Sequence, residues 1–410
     1  MVMMKRLDNG IRIVSETISH ARSVSIGVWV KAGSAEELPG EEGIAHFIEH
    51  MLFKGTTERN AKQIAQEFDL FGGDINAFTT KEATCYYTTV LTDKAEEAIK
   101  ILADMLLNSK LDSAEMEKEK SVIVDELASV EDSPEEDADE RLWALMYPNH
   151  SIGKPVGGTP ERVKSFTREN LISFMDRFYT PDRIVISVAG NFTNSLITTI
   201  EQEFGRITIE EKKQPQHLIE KAQFNTGEVR KVKDIEQSHL FLGYPGLKLK
   251  DPNIYSLVLL DSILGGTMSS RLFQEVREEK GLAYSVYSYY ASHEQDGAFV
   301  IACASSPDNE ELLYDTVQSV IQDIIETGVT EEELHNAKEQ MRGSYLIGLE
   351  SVEAHMHRNG NNELILGEHR SEEEVIASVQ EVTVKDVTHM AKRLLGQSPA
   401  ISIISPNHYL

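Results

Sequence analysis

Cysteine is nearly absent: 410 residues contain only Cys85 and Cys303, both in segments that read as strands. That excludes a disulfide scaffold and predicts reduced, semi-buried thiols in a cytoplasmic protein. Long apolar runs are missing too. None approaches the roughly 20 residues that a membrane helix needs, so a soluble chain is expected. Residues 1–16 lack the apolar core of a secretory signal and the Arg-rich, acid-poor character of a transit peptide. They read instead as the Asp8-Asn9-Gly10 turn followed by a first strand, Ile11-Arg12-Ile13-Val14. Basic residues are in deficit, 40 Lys and Arg against 67 Asp and Glu, for a formal net charge of −27. Nucleic acid and anionic membranes would be repelled, so neutral or basic partners are expected. No G-x-S-x-G elbow occurs, and neither cysteine stands in a recognisable Cys-His signature, which argues against a covalent nucleophile.

What is present is an ordinary globular composition, 40% hydrophobic and 26% charged, in a chain long enough for two domains. The chain reads as two similar halves. In the first, 24–30 alternates as a half-buried strand and 43–55 follows as a helix; in the second, 239–244 and 253–264 repeat that order. Strands at 83–91 and 298–304 precede helices at 95–108 and 310–326. Each half then opens another helix with a capping signature, Asp112-x-x-Glu115 or Thr330-x-x-Glu333, and closes on a strand, 183–188 or 400–404. The segment 209–232 is polar and carries Pro215 and two charge clusters, and is the expected linker. The expectation is α+β: two homologous domains, 1–208 and 233–410, each a mostly antiparallel sheet covered by helices.

Within the first of these helices stand His46, Glu49 and His50. At 3.6 residues per turn the two histidines lie about 40° apart in projection, with Glu49 about 60° to the other side of His46. One face therefore carries two imidazoles able to meet a single zinc and a carboxylate free to hold water. This is the H-x-x-E-H inverse of the H-E-x-x-H zinc motif. The flanking Ile44, Ala45, Phe47, Ile48, Met51, Leu52 and Phe53 imply burial, and a buried His-Glu-His cluster needs a compensating charge that a metal supplies. A catalytic zinc wants a third protein ligand. The helix over 112–131 offers Glu115, Glu117, Glu119, Asp125, Glu126 and Glu131, and chemistry alone does not choose among them. Glu119 and Glu126 stand out by sharing a face with Met116, Ile123 and Leu127.

The segment Gly43-Ile44-Ala45-His46-Phe47-Ile48-Glu49-His50-Met51-Leu52-Phe53-Lys54-Gly55-Thr56, with Glu119-Lys120-x-Val122-Ile123-x-Asp125-Glu126 beyond it, resembles the pitrilysin superfamily. The resemblance is to its mitochondrial-processing-peptidase-like branch, of bacterial type. It extends to Gly72-Gly73-Asp74-Ile75-Asn76-Ala77-Phe78-Thr79, to Tyr179-Thr180-Pro181-Asp182-Arg183 and to Ser269-Ser270-Arg271-Leu272-Phe273-Gln274-Glu275, and so spans nearly the whole chain. It implies a duplicated metallopeptidase fold that forms half of a clamshell. It implies one zinc per chain on His46, His50 and Glu126, with Glu119 supporting the site from behind and Glu49 as general base. Arg277 and Tyr284 match a pair by which the non-metal half binds substrate, where a guanidinium and a phenol can hold a peptide carbonyl and assist the oxyanion. At the positions matching the metal helix, that half has Leu257, Leu260 and Asp261 and cannot repeat the zinc site. Asn76, Ala77 and Phe78 fall on the edge strand against which an extended substrate would lie.

The activity implied is zinc-dependent hydrolysis of unstructured peptides by a homodimer. The alternatives are a noncatalytic subunit of a processing-peptidase-like complex, and an active subunit that works only in a heterodimer.

Overall fold

The computed structural model describes residues 2–207 and 222–408, and these form two compact units. The first takes 2–128, 155–207 and 348–369; the second takes 129–154, 222–347 and 370–408. Each unit is built on one sheet.

The first sheet has β1 (Val2–Arg6), β2 (Arg12–Thr17), β3 (Ser23–Val30), β4 (Asp74–Thr79), β5 (Thr84–Leu91) and β6 (Ile184–Gly190). Their order is β1-β2-β6-β3-β5-β4, and every pair is antiparallel except β2 with β6. The second has β7 (Gly227–Val232), β8 (Ser238–Pro245), β9 (Ala283–Ser292), β10 (Gly297–Ser305) and β11 (Ala400–Ser405). Its order, β7-β11-β8-β10-β9, repeats β2-β6-β3-β5-β4 strand for strand. Its one parallel pair, β7 with β11, falls where the first sheet has its own. The duplication read in the sequence is therefore a duplication of topology.

On one face of each sheet lies a large apolar core. In the first unit Val24, Ile26, Val28 and Val30 of β3 meet Ile44, Ile48 and Leu52 and the apolar stripe of the helix Ala95–Asn108. Alternation along β3 suggested half-burial, yet every residue from Val24 to Val30 is buried. The reason is the helix Val352–Asn361, which packs on β2, β3 and β6 from the other face. Its counterpart in the second unit is Pro134–Met146, lying on β7, β8 and β11 and burying Ala138, Leu142 and Met146 against Phe241, Ala298 and Ile404.

Both docking helices need a flat patch of strand. A Cβ built on Gly27 of β3 would stand 2.3 Å from Met356 Sδ, and one on Gly243 of β8 would stand 2.4 Å from Met146 Sδ.

These two helices also correct the linear division of the chain. Pro134–Met146 lies within 1–208 but belongs to the second unit, and Val352–Asn361 lies within 233–410 but belongs to the first. Periodicity shows which residues a helix buries and not which sheet receives them. Of the expected linker 209–232, residues 209–221 lie outside the described residues, and Gly227–Val232 is strand β7. Its exposed, charged face reads as linker because β7 is an edge strand whose partner, β11, arrives only at residue 400.

Candidate metal centre

The helix Ile44–Leu52 is held at its start. Gly43, its N-cap, has φ of +93°, a left-handed conformation that glycine adopts without strain; a Cβ there would stand 2.4 Å from Gly157 O. The carboxylate of Glu37 accepts from the Gly43 and Ala45 N–H groups at 2.9 and 3.0 Å, satisfying helix-terminal donors that nothing within the helix can. Burial pushes Glu37 up to about 8, against the pull of those two bonds. With Ile44, Ala45, Phe47, Ile48, Met51 and Leu52 all buried, the remaining face presents His46, Glu49 and His50.

His46 Nε2 and His50 Nε2 face each other at 3.3 Å. The helix Ser113–Asp132 crosses beside them, seated by Met116, Glu119 and Ile123. Glu126, half exposed, brings Oε1 to 3.8 Å from His46 Nε2 and Oε2 to 3.6 Å from His50 Nε2. One ligand atom from each residue lies within 4.8 Å of the others, and no other such group occurs among the described residues. The rival carboxylates are placed elsewhere: Glu115 pairs with Lys118, Glu117 with Lys120 and Glu131 with Lys231.

Glu119 is buried and has both oxygens engaged, Oε1 with His50 Nδ1 at 2.8 Å and Oε2 with Lys54 Nζ at 2.6 Å. Burial alone would raise its pKa, but the bonds from His50 and Lys54 outweigh that and leave it lowered. A carboxylate on one ring nitrogen directs the other at the metal position.

Burial, and then the neighbouring His50, brings His46 down to about 4, so at neutral pH its imidazole is in the uncharged, ligating form. Two imidazole nitrogens and a carboxylate, with a buried anion behind one of them, are the donor set of a catalytic zinc site.

Glu49 does not bind this cluster. Its Oε2 accepts from Thr79 Oγ1 at 2.5 Å, and burial raises its pKa while that bond and His50 oppose the rise.

Thr79 ends β4, the free edge of the first sheet. Side chains alternate along a strand, and here Ile75 and Ala77 turn toward the core beneath the metal helix. Phe78 turns the other way, its ring 5.5 Å from those of Trp29 and His357 and 6.0 Å from Tyr87. Of the residues expected to bind substrate, Phe78 thus commits its side chain to this cluster and leaves only backbone to a peptide. The exposed Ala77 N–H is covered by the Asn76 side chain, whose Oδ1 accepts from it at 2.8 Å.

In the second unit Arg277 lies on the short π-helical segment Phe273–Glu279 and Tyr284 at the start of β9. The guanidinium stacks between the Phe273 and Tyr284 rings, 4.8 and 5.0 Å from their centroids, and Tyr284 is 76% exposed. Leu257 and Leu260, matching His46 and Glu49, are core residues. Asp261, matching His50, accepts from Ser288 Oγ at 2.6 Å.

Sequence reasoning missed Glu37, Lys54 and Thr79. Lys54 carried a signal, standing one turn beyond His50. Thr79 reads in the sequence only as part of a strand, and Glu37 carries no signal at all.

Comparison with known proteins gives a consistent outcome. Residues 12–160 match the family model for Insulinase (Peptidase family M16), and residues 165–341 match that for the Peptidase M16 inactive domain. An uncharacterized zinc protease of Bacillus subtilis, YmxG, is 44% identical over 407 residues, covering 99% of both chains. Another, from Mycobacterium leprae, is 37% identical over 98% of this chain and 91% of its own. Among solved structures, a protease from Helicobacter pylori superposes with a TM-score of 0.92 over 99% of both chains at 20% identity. A peptidase M16 inactive domain from Pseudomonas fluorescens does so at 0.89 and 22%, over 99% of this chain and 98% of its own.

Proposed function

The chain belongs to peptidase family M16, of the pitrilysin superfamily, and we propose that it is a zinc endopeptidase of the processing-peptidase-like branch, acting on unstructured peptides. The observation that carries this reading is the convergence of His46, His50 and Glu126 ligand atoms within 4.8 Å, with Glu49 on the same helix face as the two histidines. These three would hold one zinc per chain and leave a fourth position open. Zinc bound there supplies Lewis acidity, polarising the scissile carbonyl and acidifying water.

The chain's own residues do the rest. Glu49, tied at Oε2, keeps Oε1 to take a proton from the attacking water and return it to the leaving amine. Glu119 fixes the tautomer and ring orientation of His50. The free edge of β4 offers main-chain pairing to an extended peptide, which would admit peptides of varied sequence and requires that the substrate be unfolded. Arg277 and Tyr284 are assigned to the substrate carbonyl on the family likeness, and their solvent-facing stack suits that role. The net charge of −27 favours neutral or basic peptides, and two free, buried cysteines suit the cytoplasm.

The test is metal analysis of the purified chain together with cleavage of a fluorogenic peptide library, with and without chelator. About one zinc per chain and chelator-sensitive cleavage are expected. Zinc bound without cleavage would favour the noncatalytic or partner-dependent subunit. Glu126→Gln and Glu49→Gln separate the roles: the first should lower zinc occupancy, since an amide is the poorer ligand, whereas the second should keep zinc and lose turnover by ~100-fold or more. Full occupancy in Glu126→Gln sinks the ligand assignment.

A further inference from the structure

The base assigned to Glu49 needs a fixed direction, and the residues behind it supply one. Thr79 Oγ1 donates to Glu49 Oε2. It also stands 3.3 Å from Thr84 Oγ1, its partner across the β4–β5 ladder. Thr84 has a single hydroxyl proton and directs it to Ala32 O at 2.8 Å. Thr84 can therefore only accept from Thr79. The one proton of Thr79 goes to the shorter contact, which is the carboxylate, where a charge-assisted bond is the stronger.

The surroundings are rigid. Thr84 is fully buried, and the nearby Tyr86 and Tyr179 hydroxyls bond each other at 2.9 Å. Thr79 is also the last residue of β4, whose outer edge is the one open to a peptide.

We infer that Thr79 is the positioning residue for the base. Its hydroxyl anchors one oxygen of Glu49, presents the other to the metal cluster, and ties that geometry to the strand on which substrate pairs. This rests on the assignment of Glu49 as base and extends it. A side chain held in one rotamer by an over-determined neighbour keeps near-attack geometry without reorganisation. Removal of the anchor is therefore felt in turnover and hardly at all in binding, because β4 still offers its backbone and the Thr79 hydroxyl contacts Glu49 and Thr84 rather than a metal ligand.

The experiment compares the zinc-loaded parent with Thr79→Val, Thr79→Ser and Glu49→Gln. Steady-state cleavage of a fluorogenic peptide is read alongside zinc affinity from chelator competition and crystal structures of the variants. For Thr79→Val, which keeps shape and loses the hydroxyl, kcat should fall by ~10–100-fold, within the range that general base catalysis supplies. Its KM and zinc affinity should stay within about twofold of the parent, and Glu49 should occupy more than one rotamer. Thr79→Ser should recover most of the lost kcat.

Parental kcat in Thr79→Val while Glu49→Gln is dead would overturn the inference and leave the base standing. So would a Thr79→Val crystal structure with Glu49 in its single parental rotamer, a Thr79→Ser as impaired as the valine variant, or a loss of zinc affinity matching the loss of kcat. An active Glu49→Gln would remove the base itself, and the role of Thr79 with it.

Discussion

Among individual residues, Glu37 makes the most testable electrostatic commitment. It is buried, its two oxygens serve the first turn of the metal helix, and its pKa is raised from 4.5 to about 8. A raised carboxyl contributes stability in full below the unfolded value, near pH 4.5, and loses it as pH climbs through the folded value near 8. Glu37→Gln stays neutral throughout and should escape that loss, at the cost of a pH-independent offset, because its single amide oxygen can accept from only one of the Gly43 and Ala45 N–H groups. Measured against its own offset near pH 4.5, the unfolding free energy of the variant should gain on the parent by up to ~1.4 kcal/mol for each pH unit toward 8. Urea titrations of both proteins in chelator, at pH 5 and pH 8, would show this. A constant difference across the two pH values would mean that Glu37 is already charged in the fold.

At the level of strands and helices, the glycines under the exchanged helices set the packing distance. The Met356 backbone is held, its carbonyl accepting from Ser187 Oγ at 2.7 Å, so any relief has to come from its side chain, which is fully buried. Gly27→Ala and Gly243→Ala should therefore each lower stability by about 1–3 kcal/mol through overpacking, read as a lower urea midpoint with metal content unchanged. The two losses should add, because the sites lie in different units. The metal helix was legible in the sequence because its three polar residues share one face of an otherwise apolar segment, and a single periodicity reports both facts. Glu126 was legible only by family likeness, since six carboxylates on one helix are chemically alike until their neighbours are known, and Lys118, Lys120 and Lys231 are what remove three of the rivals. The anchoring role of Thr79 was hidden because a threonine at a strand end satisfies strand propensity equally well with its hydroxyl to solvent or to a base. Where the helices Pro134–Met146 and Val352–Asn361 dock was hidden for a different reason: their apolar stripes fit either sheet.

For the whole molecule, the described residues hold one candidate metal cluster and one Arg277–Tyr284 stack. The family likeness implies a shell of four domains, so a homodimer would supply two sites, each drawing zinc from one protomer and the Arg/Tyr pair from its partner. His50→Ala and Arg277→Ala proteins should each be nearly inactive, and mixing them with free subunit exchange should restore about a quarter of parental activity. No recovery, with exchange confirmed independently, would show that each site is complete within one chain. The exchange of helices bears on synthesis as well. A ribosome that has extruded residue 207 has delivered all six strands of the first sheet, yet the helix that packs on Trp29 of β3 and Ser187 of β6 is still some 150 codons away. At ~5–20 residues per second, that face stands open for several seconds or more, and the nascent first half should bind holdase chaperones until residue 361 emerges.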